Sequence, residues 1–150
     1  MKNPQIRHIA KGFAAIVFVA CSNTWAQMTP EGLWRTIDDK TGQPKAEIRI
    51  SAGAGGALTG VLEKALITSA EPMCTLCTDD RKDKPKLGME VIRGARKADG
   101  KDVWESGQIL DPENGKVYRL ALEPQDGGKT LQVRGYIGPF YRTQVWQRIQ

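Results

Sequence analysis

The sequence predicts an all-β fold, an antiparallel up-and-down barrel of about eight strands. Three observations lead there. Over the C-terminal third, Gly107 to Arg148, turn residues recur at intervals of about 10 residues between short β-branched and aromatic runs, the spacing of a meander and not of a βαβ unit. Several of those runs alternate apolar and polar side chains with a period of two. No stretch keeps a helical period long enough for a helix. A sheet of this many strands either closes or splits into two packed sheets, and closure at about eight leaves a lumen sized for side chains or one small ligand.

The first 26 residues read as an export signal. Lys2, Arg7 and Lys11 supply a positive start, Gly12 to Cys21 is an apolar run, and Thr24 and Ala26 put small residues ahead of Gln27. The run is shorter than the roughly 20 residues that span a bilayer, so no transmembrane span is expected. Domain organisation is then a signal over 1–26 and one barrel domain over 27–150, located in the periplasm or secreted. The alternative is a lipid anchor on Cys21, although Phe18 stands where such signals usually carry Leu. Loss of the signal lowers 22 basic residues to 19 against 17 acids, and the net charge from +5 to +2. No basic run with interleaved aromatics remains, so nucleic acid is not an expected partner. His8 also leaves with the signal. Without an imidazole the exported chain has no Ser-His-Asp or Cys-His nucleophile and no His-ligated zinc.

The strands follow in order. Pro30 and Gly32 open a short strand to Ile37, and Asp39 to Pro44 is a turn cluster. Lys45 to Ser51 alternates Ala46, Ile48 and Ile50 against Glu47 and Arg49. After the flexible connection Ala52 to Gly56, a strand returns over Ala57 to Leu66 with Gly60 as a bulge or close-approach point. Thr68 to Lys86 breaks the pattern with Pro72, Cys74-Thr-Leu-Cys77, the charged run Asp79 to Lys84 and Pro85; long irregular connections in small domains are often functional. Strands resume over Gly88 to Arg96 and Val103 to Leu110. Asn114-Gly115 marks a tight hairpin. Val117 to Glu123 alternates Tyr118, Leu120 and Leu122 against Arg119, Ala121 and Glu123. Leu131 to Ile137 and Arg142 to Ile149 close the meander around the Gly138-Pro139 break.

Four groups of residues could carry chemistry. Cys74-x-x-Cys77 in an exported chain reads first as a structural disulfide; the alternatives are a redox-active pair, for which the sequence offers no helix start after a strand, and a metal site, which lacks a second Cys pair and any His. Asp111-Pro-Glu-Asn-Gly115 lacks the ligand spacing of a calcium loop and reads as a turn. Arg134 and Tyr136 share one face of their strand, and Arg142, Gln144, Trp146 and Arg148 share one of theirs. Facing inward they make a polar or anion pocket; facing outward they leave Val133, Ile137, Thr143 and Val145 to the core. Gly32-Leu-Trp34 is similar to the Gly-x-Trp signature of lipocalins, whose Trp closes the barrel floor under an Arg from the last strand, here Arg142 or Arg148.

Gly32-Leu-Trp-Arg35, Cys74-x-x-Cys77, Asp111 to Tyr118, Val133 to Gly138 and Arg142-Thr-Gln-Val-Trp146 together resemble the exported bacterial family labelled domain of unknown function 2147, across essentially all of the chain after the signal. The resemblance implies a lipocalin-like barrel with no assigned reaction and no catalytic residue to carry over. The expected function is small-ligand binding without catalysis, cofactor or metal. Trp34, Tyr118, Arg134, Tyr136, Arg142, Gln144 and Trp146 are the pocket candidates for an anionic or amphipathic ligand. The alternatives are a thiol-disulfide protein using Cys74 and Cys77, or a non-catalytic envelope interaction module with a filled interior.

Overall fold

The computed structural model describes residues 28–149, so the export signal expected over 1–26, with Cys21, lies outside the described residues. Eight strands form one closed antiparallel barrel in chain order. They are β1 (Gly32–Ile37), β2 (Pro44–Ala52), β3 (Leu58–Ala65), β4 (Glu90–Lys97), β5 (Trp104–Asp111), β6 (Lys116–Gln125), β7 (Thr130–Ile137) and β8 (Phe140–Arg148). Two three-residue 3-10 turns are the helical pieces among the described residues. The expected up-and-down barrel is the observed one.

The alternating runs do what their period dictates. Ile48 and Ile50 of β2 are buried, whereas Glu47 and Arg49 stand on the outer wall and pair with Arg35 and Glu63 at 3.1 and 2.6 Å. Leu120 and Leu122 of β6 turn inward in the same way. Trp34, Ile50, Leu58, Ile92, Leu122, Leu131 and Trp146 are almost completely buried and fill the barrel's interior. Burial of each such side chain stabilises the fold by about 1.5–3 kcal/mol. Two glycines let the wall pack this tightly. A Cβ on Gly60 would stand 2.9 Å from Ile92, and one on Gly107 would stand 2.5 Å from the Ala95 nitrogen, beside a bulge where Ser106 takes φ 64°.

The chain direction separates two ends. The turns after β2, β4 and β6 gather at one end with residues 28–31; those after β1, β3, β5 and β7 gather at the other. Closure is unequal between them. β7 and β8 pair along their whole length, Thr130 with Gln147 through Ile137 with Phe140, but β1 meets β8 only at Trp34–Arg148 and Arg35–Gln147. The barrel is sealed at the first end, and its β1–β8 seam parts toward the second.

The patternless stretch between β3 and β4 is clamped to the wall. Cys74 and Cys77 are joined by a disulfide and both are buried, with Cys74 Sγ 3.6 Å from the Pro112 carbonyl. Leu76 lies so close to the β5–β6 turn that a Cβ on Gly115 would overlap its carbonyl. The buried Arg81 donates to Asp79 and, at 2.9 Å, to the Glu90 carbonyl. Arg93 grips both Asp80 oxygens at 2.8 and 2.9 Å, and Lys86 Nζ reaches Glu113 at 3.2 Å. The Arg81 guanidinium holds the Asp79 carboxyl down to a pKa of about 2.

Candidate functional site

The sealed end is built around Trp34. Its indole nitrogen donates to the Pro30 carbonyl at 2.6 Å, and the Arg148 guanidinium lies 4.1 Å from the centre of its ring. Arg148, not Arg142, takes the floor position, because the β1–β8 register sets it directly opposite Trp34. Its nitrogens also donate to the carbonyls of Gly128, Glu31 and Thr29, the last two at 2.6 Å. Burial lowers its pKa below the ordinary arginine value. Five donors in a rigid fork suit this enclosure of carbonyls. The floor is thus a plug, with no room reserved in it for a ligand.

The open end is different. Gly135 pairs with Arg142 and Val133 with Gln144, so both polar side chains lie on the inner face of β8, above Trp146. Arg142 Nε donates to Asp39 at 2.7 Å, Gln144 Nε2 donates to the same carboxylate at 3.2 Å, and Trp146 Nε1 donates to Gln144 Oε1 at 3.3 Å. Asp39, in the β1–β2 turn, therefore bridges the parted seam. Beside Arg142, on β7, a Cβ added to Gly135 would stand 3.3 Å from Tyr118 Cβ and 3.8 Å from Ile109, so the glycine leaves its inner surface to these two side chains. The Tyr118 hydroxyl accepts from Asn114 at 3.2 Å. Ile109, Tyr118 and Gln144 are half-buried, and Arg142 is 62% exposed. The result is a shallow cup with one apolar wall and one wall of donors.

Five of the seven residues read from the sequence as a pocket share the interior: Trp34 at the floor, Trp146 in the middle, and Tyr118, Arg142 and Gln144 at the mouth. Arg134 and Tyr136 do not join them. The β7–β8 register pairs Arg134 with Thr143 and Tyr136 with Tyr141, which puts both on the outer wall. There Arg134 stacks over Tyr141 at 5.0 Å and Arg119 over Tyr136 at 5.3 Å. Asp39 and Ile109 were missed by sequence reasoning; Asp39 stood in a turn cluster with nothing local to mark it. A surface hollow of about 340 Å³ at the sealed end is lined by Lys97 to Asp102 alone. Six successive residues of one turn converge on nothing, so the mouth is the better candidate.

Cys74 and Cys77 sit apart from the cup. Thiol-disulfide exchange needs a thiolate to reach a sulfur, and both sulfurs here are covered. A bonded pair also offers no thiolate to a metal.

A family model described as uncharacterized protein conserved in bacteria, DUF2147, matches residues 32–148. The chain belongs to that family. A comparison with curated protein sequences finds no match. Among solved structures, protein HP1028 from the human pathogen Helicobacter pylori, of the lipocalin family, superposes with a TM-score of 0.67 at 13% identity, covering 80% of this chain and 82% of that one. At that identity the likeness establishes the fold alone: this member of the family is a lipocalin-like barrel. Among its described residues no helix is long and apolar enough to cross a membrane. Its outer wall carries ion pairs such as Arg35–Glu47, Arg49–Glu63 and Arg93–Asp80.

Proposed function

We propose that this member of the family is an exported, non-catalytic binding protein that takes a small anionic or amphipathic ligand at the mouth of its barrel. The observation that carries the reading is the pair of donors, Arg142 and Gln144, on the inner face of β8, separated from Tyr118 and Ile109 by the bare Gly135 of β7. A carboxylate or phosphate head can replace Asp39 on the Arg142 fork, and a short apolar tail can lie against Tyr118 and Ile109. The ligand sits at the mouth because the interior below is filled by Trp34, Trp104, Trp146 and their neighbours. Export is supported by the signal-like N-terminus and the disulfide.

The test is native mass spectrometry of the exported protein, followed by tryptophan fluorescence titration with a panel of fatty acids, lysophospholipids and small organic acids. Trp146 is hydrogen-bonded to Gln144 and should report occupancy. Arg142→Ala should weaken binding about tenfold or more by removing the charged fork. An unliganded mass with no fluorescence response across the panel overturns the proposal. The same filled interior favours a second reading, an envelope interaction module that works through its surface.

A further inference from the structure

The turn between β7 and β8 is unlike the others. Ile137-Gly-Pro-Phe-Tyr141 places five successive exposed residues, none charged, at the open end, with Phe140 73% and Tyr141 63% exposed. The neighbouring turns, Asp38 to Gln43 and Asp111 to Lys116, are polar. An exposed apolar run of this length is unfavourable in water unless something covers it. Leu76 and Leu87, on the connection at the same end, are also about 60% exposed. Behind the tip, on the outer wall of β6 to β8, the Arg119 and Arg134 guanidiniums lie on the Tyr136 and Tyr141 rings, and neither forms an ion pair among the described residues.

We propose that the β7–β8 tip docks the barrel, tilted onto the outer wall of β6 to β8, onto a bilayer surface that carries anionic headgroups. Phe140, Pro139 and Ile137 enter the headgroup region, the tyrosines sit at its level, and Arg119 and Arg134 face lipid phosphates. Charge decides the occupant. A second copy seated on this patch about a two-fold axis would set the arginine wall against its own like charge, whereas an anionic surface complements it. The docking is separate from the mouth's ligand and does not require one.

The barrel and its core close within residues 32–148, so a chain begun at Gln27 keeps every strand of the barrel and leaves out the apolar run of the first 26 residues. That protein should co-sediment with phosphatidylethanolamine–phosphatidylglycerol vesicles at low salt and not with phosphatidylcholine vesicles. Phe140→Ser should weaken partitioning about tenfold while leaving the Tm unchanged, since the ring already stands in water. Arg119→Gln and Arg134→Gln should each cost roughly fivefold and lessen the salt dependence. Lys101→Gln at the sealed end should change nothing. Absence of sedimentation, equal partitioning onto neutral vesicles, or a vesicle-free dimer abolished by Phe140→Ser would each overturn the proposal, the last in favour of a second copy.

Discussion

Arg142 and Arg148 lie on the same face of the same strand, yet the two ends of the barrel put them to opposite uses. At the sealed end Arg148 lies on Trp34 and is enclosed by backbone carbonyls. At the open end Arg142 is largely in water, with one carboxylate from a turn as its partner. The cause is the seam: β1 reaches β8 at Trp34 and Arg35 and leaves it above them. An enclosed guanidinium is a structural part, because removing it leaves orphaned carbonyls. An exposed one stays available, because water and Asp39 are easily replaced.

The comparison breaks most severely at its centre. Trp34→Ala should destabilise the barrel by about 4 kcal/mol, through the lost burial, the cavity and the uncovered Arg148, measured as the midpoint shift in urea unfolding. A loss under about 1 kcal/mol would mean that the floor is not where the barrel is held shut. Arg148→Lys sharpens the point with a smaller effect. It keeps the charge but loses the planar fork and the stacking, so a cost of about 2 kcal/mol is expected. A lysine that matched wild type would show that charge alone suffices at the floor.

The alternating runs of β2 and β6 made the barrel legible, since a period of two has one solution when one face must be dry. The pocket was legible only in part, and the reason is register. The two-residue turn Gly138-Pro139, with Gly138 at φ 54°, pairs Ile137 with Phe140 and therefore Arg134 with Thr143. Even-numbered residues of β7 thus share a wall with odd-numbered residues of β8. That arithmetic was present in the sequence once the turn length was known, and it separates Arg134 and Tyr136 from Arg142 and Gln144. Asp39 was a harder case: 103 residues separate it from Arg142, and only closure of the barrel brings them together. The Thr68 to Lys86 stretch showed no period because its order comes from distant pairs, Asp80 with Arg93 and Lys86 with Glu113.

Those pairs make the two ends differ in a further way, in their response to acid. The connection at the open end is fastened by carboxylates, whereas the floor's contacts among the described residues are a ring face and carbonyls, which do not titrate. Asp79 has a pKa of about 2 in the folded chain against an ordinary value of 3.8, held down by the Arg81 guanidinium, and Asp80 is lowered by Arg93. Protons therefore bind the unfolded chain more readily than the folded one. The stability these groups contribute is fully present above about pH 4 and is withdrawn as pH falls toward 2. A third of the Asp79 side chain remains in water, so its share is screened to about 1 kcal/mol, or roughly 3 °C in Tm. Amide hydrogen exchange between pH 4 and pH 2, corrected for the intrinsic pH dependence, should show residues 74–86 losing protection before Trp34 and its neighbours. Asp79→Asn should flatten that change and leave the floor as it was. Equal loosening of both ends would mean that the connection is held by its disulfide and its packing, and that charge fastens neither end.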